Sequence, residues 1–194
     1  MRTKEEYISS IIPHRLGMVD IMHFVLDTLI FEEGSKPFEL FVEGKLKVRG
    51  NTSFIANGAV EAGIINARAL LEFLGLKVEK GNPYKLSERN GRRYDDDLFI
   101  EDFEGTSGKL SKVSIEDVYS LYPGPKEEAE MSLARIIHIG HKEIAHPTLG
   151  RENTTDDYAM LEIAARGIRA LTVTFFFTKL GIPAPQHPVS ASNA

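Results

Sequence analysis

One segment of the chain carries a dense run of cationic and titratable side chains at helical spacing: Arg135, His138, Lys142, Glu143 and His146. On a regular helix Arg135, Lys142 and His146 lie within about 20° of one line, and His138 lies about 60° to one side. Arginine and lysine bind phosphate by charge, and imidazole exchanges a proton near neutral pH. The spacing therefore predicts a helix face that can hold a phosphate group and transfer a proton beside it.

The same residues have two other interpretations. A polar stripe on an amphipathic helix is usually its solvated face, and the dipole of a helix favours histidine near its C-terminus. Glu143 and His146 also form a Glu-x-x-His pair, the unit that carboxylate-bridged di-iron bundles use twice. The sequence contains only one such pair, and His138, His141 and His146 reach a common metal ion only across a break in the helix. We therefore predict no metal ligands and no cofactor, with a metal-dependent helical-bundle enzyme as the weakest alternative.

The composition excludes several classes of protein. The chain has 194 residues and no cysteine, which rules out thiolate metal sites, cysteine nucleophiles and disulfides. Its net charge of −5 argues against a surface built to grip duplex nucleic acid. No apolar stretch is long enough to cross a bilayer, and acidic residues occur where a signal peptide would become apolar. We therefore expect a cytoplasmic protein without membrane contact.

Apolar periodicity predicts four long helices that would position the cationic face. We expect them at about residues 14–31, 53–74, 125–146 and 155–181. Residues 37–48 are predicted as a short helix or an irregular bridge, and the polar, glycine-rich residues 80–112 as an insertion between the second and third helices. The pattern indicates an all-α, up-and-down four-helix bundle in one domain of residues 1–182, followed by a disordered tail at 183–194.

Arg68 needs a separate explanation because it lies on a helix that is apolar nearly all round. Glu61 and Glu72 are spaced to share its face, so Arg68 can pair with one of these carboxylates. It can also reach the cleft that contains His146 and supply a positive charge there. We favour the structural pair, because its candidate acids lie on the same helix.

Two segments of the chain resemble HEPN-type helical proteins. Residues 140–146, Gly-His-Lys-Glu-Ile-Ala-His, are similar to the Arg-Asn-Lys-x-x-Ala-His segment of uncharacterised bacterial members related to abortive-infection proteins. Residues 61–73 resemble the apolar helix of those relatives that carries a core of His or Asn followed by Ala-Arg-x-Leu. The order of the two segments, with the insertion between them, is also that of the family.

The resemblance implies a four-helix domain, often dimeric, in which an Arg-x(4–6)-His motif cleaves RNA without metal. His146 matches the family histidine and Lys142 the family lysine, but Gly140 occupies the position of the arginine. Arg135 and His141 also match the Arg-x(4–6)-His motif, because five residues separate them; we call this pair the second register of the motif. On a regular helix their side chains diverge by about 120°, so they converge only if the helix bends at Gly140.

Three functions follow as hypotheses. The first is a non-catalytic or altered HEPN-like domain that binds RNA, a nucleotide or a protein partner in a bacterial defence or toxin–antitoxin setting. The second is a metal-independent endoribonuclease that uses Arg135 with His141, or Arg68 with His146. The third is the metal-dependent enzyme. We expect a homodimer, with Lys142, Arg68, His138 and Glu143 as binding residues.

Overall fold

The helices follow the order that the apolar periodicity predicts, although several of their bounds differ. The computed structural model describes residues 3–29, 34–91, 94, 97–144 and 155–189, and the side chains of residues 142, 143, 155 and 156 lie outside that description. Its α-helices are α1 (Lys4–Glu6), α2 (Ile12–Thr28), α3 (Thr52–Leu74), α4 (Ile115–Leu121), α5 (Lys126–His138) and α6 (Thr155–Thr172). π-helical turns occur at Tyr7–Ile11, Ile139–Glu143 and Val173–Thr178.

Within the described residues, strands form three antiparallel hairpins beside the helices. Their strands are β1 (Pro37–Val42) with β2 (Lys45–Asn51), β3 (Leu76–Glu79) with β4 (Asn82–Glu88), and β5 (Glu104–Gly105) with β6 (Gly108–Lys109). The prediction of an all-α, up-and-down four-helix bundle is therefore wrong. The chain has a mixed fold of helices and small two-stranded sheets.

The first hairpin occupies the segment that we predicted as a short helix or bridge. Its turn residues Glu43 and Gly44 have φ values of 51° and 72°, and positive φ at both central positions gives the turn type whose twist suits a tight hairpin. Leu40 pairs with Val48 across the hairpin, so apolar side chains of the two strands share a face. A Glu-Gly turn is a weaker signal than Asn-Gly or Asp-Gly, which explains why the pattern suggested no strand.

Residues 80–112 are not a polar insertion. The strand β4 packs against α5, and its Leu86 is 3% exposed. Other apolar side chains from the same part of the chain are buried in the core: Phe99, Ile100, Phe103 and Leu110. These isolated apolar residues lie among glycines and charges, so the segment has little apolar periodicity although it covers one end of the helical core.

The core is organised around α2, α3, α5 and α6. Gly63 permits the close approach of α2 and α3, because a Cβ there would lie 2.3 Å from Met22 Cβ. An aromatic cluster joins the end of α3 to the residues before β5 and to the last π turn, with edge-to-face ring pairs at 5.1–5.8 Å: Phe73, Phe103, Phe176 and Phe177. The helices are therefore held in register by both small and aromatic residues.

Capping residues account for the helix bounds that the sequence predicts best. The side chain of Asn51 accepts a hydrogen bond from Phe54 N at the start of α3, and Gly75, with φ of 97°, ends that helix. Ser114 and Asp117 form a capping box that begins α4. The predicted helix at 53–74 is confirmed.

The C-terminal segment that follows α6 contacts both α2 and α6. Arg169 Nη2 donates a hydrogen bond of 2.8 Å to the carbonyl oxygen of Pro185, and Pro188 lies against Gly17 of α2. Residues 183–189, part of the tail that we predicted as disordered, thus have defined contacts with α2 and α6.

Candidate functional site

Helix α5 presents one buried face and one polar face. Leu133, Ile136 and Ile137 are buried against the core. Arg135 and His138 are half-buried on the other side, where β4 and α6 approach the helix. The amphipathic pattern of α5 therefore positions the predicted cationic residues at a junction of three elements.

Arg135 is held by a carboxylate from α6. Its Nε donates a hydrogen bond of 2.8 Å to Asp157 Oδ1, and both side chains are 13% exposed. A charge-assisted bond that is largely removed from water fixes the orientation of both groups. It also compensates the positive charge of Arg135, which reduces the attraction of this residue for a phosphate.

His138 lies beside an exposed tyrosine of β4. The ring centroids of His138 and Tyr84 are 6.3 Å apart, with 42° between their planes. A cavity of about 210 Å³ opens next to them and is lined by Tyr84, Met131, Arg135, Asp157 and Met160. The Tyr84 side chain is 48% exposed, so this cavity has an aromatic edge that solvent molecules and ligands can reach.

Glu130 positions the strand that carries Tyr84. Its Oε1 accepts a hydrogen bond of 3.0 Å from Leu86 N, and its Oε2 accepts one of 3.0 Å from the Tyr119 hydroxyl of α4. Burial, together with the hydrogen bond to Glu130, raises the pKa of Tyr119 above its ordinary value. One carboxylate of α5 thus links α4 and β4.

The helix changes from α to π geometry at Gly140. The π turn spans Ile139–Glu143, and Ile144 N donates to Ile139 O at 3.2 Å. A Cβ at Gly140 would lie 3.2 Å from Arg68 Cδ, so the missing side chain leaves room for the arginine of α3. The glycine at position 140 therefore has a packing reason in this chain.

Arg68 and His141 meet at the carboxylate of Glu72. Arg68 Nε donates a hydrogen bond of 3.0 Å to Glu72 Oε1, and His141 Nε2 lies 3.1 Å from the same oxygen. Arg68 Nη1 also donates to the carbonyl oxygen of Gly140 at 3.3 Å. The structural interpretation of Arg68 is confirmed, because Glu72 is one of the two acids predicted as its partner.

The predicted catalytic residues are therefore divided between two clusters. The side chain of Arg135 binds Asp157 of α6, whereas that of His141 lies against Glu72 of α3. The π turn at Ile139–Glu143 does not bring this register together, because its two side chains contact different carboxylates. His146 lies outside the described residues, as do the side chains of Lys142 and Glu143.

A second group of titratable residues, which we did not predict, lies between α2, α6 and the C-terminal segment. Asp20 of α2 is 3% exposed; its Oδ2 accepts a hydrogen bond of 2.5 Å from Arg169 Nη1, and its Oδ1 lies 3.6 Å from His187 Nδ1. Burial raises the pKa of the Asp20 carboxyl, and the Arg169 guanidinium offsets part of that rise. We call the adjoining space of about 380 Å³ the Asp20 cavity; the side chains that line it are Asp20, His23, Ala165, Arg166, Arg169, Ala170, Val173 and His187.

Two residues of this cavity could have been found from the sequence. Asp20 falls on the apolar stripe of α2 between Val19 and Met22, and a carboxylate at a buried position needs a partner. Arg169 is likewise a charged residue next to a buried apolar one, Ile168 of α6. His187 had no such signal, because it follows α6 in a segment without periodicity.

Comparison with protein-family models, with curated proteins and with solved structures gave no match to this chain. Among the described residues no helix combines the length and apolar character that a membrane span requires. The described part of the chain also has no group of three or more histidine and carboxylate side chains arranged to hold a metal ion.

Proposed function

We propose that this protein binds single-stranded RNA, or a nucleotide, at the Tyr84–His138 face of α5 and does not cleave it. The observation that carries the proposal is the exposed Tyr84 ring beside the His138 imidazole, at the edge of a cavity lined by two methionines. Aromatic and imidazole rings stack on unpaired bases, and methionine makes favourable contacts with flat rings. Such a face suits a base that is not paired in a duplex.

The weak attraction for phosphate at this face supports binding without cleavage. RNA cleavage of the kind that the resemblance implies needs an arginine that stabilises phosphate charge beside a histidine that transfers a proton. In this chain Asp157 compensates Arg135, and Glu72 lies between Arg68 and His141. These carboxylates pair with two of the arginines that such a mechanism would use to hold a phosphate, which supports binding without cleavage.

A binding assay tests the proposal. We would titrate a fluorescent single-stranded RNA of mixed sequence with the protein in EDTA and follow fluorescence anisotropy. Base–aromatic stacking contributes roughly 1–3 kcal/mol per base, so Tyr84→Ser should weaken binding on the order of tenfold. Tyr94→Ser is the matched control, since Tyr94 is 57% exposed and does not line the cavity. Equal affinities of wild type and Tyr84→Ser contradict the proposal.

We further propose that the protein is an HEPN-like relative that acts in the cytoplasm, in bacterial defence or in a toxin–antitoxin pair. The resemblance of residues 61–73 and 140–146 supports this setting. Expression of the protein in bacteria challenged with phage would test it: a defence protein should lower plaque counts, and a Tyr84→Ser variant should restore them. Unchanged plaque counts with the wild type would refute the defence role.

We also propose that two copies associate through the β1–β2 hairpin. Its large apolar side chains are 40–55% exposed: Leu40, Phe41, Val42, Leu46 and Val48. A two-stranded hairpin is marginal in water by itself, and the same face on a second copy would cover it around a two-fold axis. Sedimentation velocity should show a dimer that Phe41→Ser dissociates, whereas Ile65→Ser, on α3 and 47% exposed, should leave it intact. A wild-type monomer at micromolar concentration contradicts this assembly.

A further inference from the structure

The Asp20 cavity is lined by two arginines, two histidines and a single carboxylate, that of Asp20. On one side Asp20 contacts Arg169 and His187. On the other side Glu162, which is not part of the lining, has its Oε1 3.4 Å from Arg166 Nη2 and 3.9 Å from His23 Nε2. The lining therefore has one more arginine than carboxylate, an excess of positive charge.

Arg169 has a structural role within this group. Its Nη1 donates to Asp20, and its Nη2 donates to the carbonyl oxygen of Pro185. These bonds connect α2, α6 and the C-terminal segment, and they place His187 over the cavity. Arg166, His23 and His187 are then the donors for a ligand, one each from α6, α2 and the C-terminal segment.

We propose that the Asp20 cavity binds a small phosphate-bearing anion, such as inorganic phosphate or a phosphomonoester. Three donors from three elements suit a tetrahedral group that accepts hydrogen bonds on three oxygens, whereas a planar carboxylate suits a single bidentate arginine. The volume of about 380 Å³ is near the lower end of the range for small-molecule sites. The site lies apart from Tyr84 and does not depend on RNA binding there.

Calorimetric titration with inorganic phosphate at pH 6 tests the site in the intact chain. We expect saturable binding that Arg166→Gln weakens roughly tenfold, the effect of losing one hydrogen bond to a charged group. Arg166 is 61% exposed, so its replacement should leave the fold intact. Arg49→Gln is the matched control, because Arg49 is an exposed arginine paired with Glu39 on the β1–β2 hairpin. Absent binding, or equal affinity of wild type and Arg166→Gln, overturns the proposal.

Two further titrations complete the test. One compares phosphate with a carboxylate ligand, and the other measures how much the two histidines contribute to binding. Acetate should bind at least tenfold more weakly than phosphate; equal affinities would contradict a phosphate site. The His23→Ala/His187→Ala double variant should bind phosphate at least tenfold more weakly than the wild type at pH 6. Equal affinities of the two proteins would contradict the assigned donors. Failure of RNA binding at Tyr84 would leave all these outcomes unchanged.

Discussion

Two regions of the molecule pair arginine, histidine and carboxylate side chains. One is the Asp20 cavity. The other, which we call the α5 site, consists of the polar residues of α5 and the following π turn with their partners on α3 and α6. At the α5 site the Arg135–Asp157 pair is 13% exposed on each side, and the Arg68–Glu72 pair is about one-third exposed. At the Asp20 cavity the carboxylate is 3% exposed, and two histidines lie near the acids. Similar side chains thus form a ring-lined surface in one place and a cavity with more arginines than carboxylates in the other.

The difference shows that the placement of the carboxylates decides which ligand a cationic cluster suits. At the α5 site each arginine faces an acid, so the exposed ring and the methionines are left to contact a ligand. At the Asp20 cavity two arginines line the space with a single carboxylate, which leaves an excess of positive charge. Four predictions test this contrast.

The largest effect is expected from Asp20→Ala. This change leaves Arg169, which is 20% exposed, without its carboxylate and loosens the C-terminal segment. Removing one partner of a largely buried pair costs about 3 kcal/mol of unfolding free energy. Urea denaturation would measure it, with Arg166→Gln as a control that should cost less than about 1 kcal/mol. A loss below about 1 kcal/mol for Asp20→Ala would mean that the pair does not hold the cavity together.

The second largest effect is expected from Glu130→Ala, which should alter the position of Tyr84. Glu130→Ala removes the acceptor for Leu86 N and for the Tyr119 hydroxyl, which should cost about 2 kcal/mol and weaken RNA binding severalfold. Tyr119→Phe removes only one of these bonds and leaves β4 attached to α5. If both variants bind RNA equally well, Glu130 does not position Tyr84.

A smaller effect should appear as a pH dependence of stability. Burial raises the pKa of Asp20 in the folded state above its ordinary value of 3.8, so the folded chain binds more protons than the unfolded chain just above that pH. The unfolding free energy of the wild type, relative to Asp20→Asn, should therefore fall as the pH rises from 3.8 through the raised pKa. Urea denaturation of both proteins between pH 3.5 and 7 measures this difference; a rise would show that the attraction of Arg169 outweighs burial.

The smallest effect is expected from Glu72→Gln. The Arg68–Glu72 pair is about one-third exposed and solvent screens it, so its loss should cost only about 0.5 kcal/mol. Asp157→Asn at the more buried pair should cost more, since both of its side chains are 13% exposed. Thermal unfolding of the two variants compares their losses of unfolding free energy. A larger loss for Glu72→Gln than for Asp157→Asn would contradict the expectation that the more buried pair stabilises the fold more.

Spacing along one helix predicted part of this architecture. The capped helices α3 and α4, the cationic face of α5 and the Arg68–Glu72 pair follow from local periodicity and capping. The hairpins could not be predicted in the same way, because a Glu-Gly turn and scattered apolar residues give a weak strand signal. The Asp20 cavity joins residues as far apart as Asp20 and His187, and only the packing of α2 on α6 brings them together.

The most direct test of the central claim is a cleavage assay under conditions of saturated binding. End-labelled single-stranded RNA would be incubated with the protein in excess EDTA, at a concentration where anisotropy shows complete binding, and analysed on a denaturing gel. We predict that the bound RNA stays intact with the wild type and with the His141→Ala and His146→Ala variants. Cleavage by the wild type that either variant abolishes would contradict the claim and assign the chain an endoribonuclease activity.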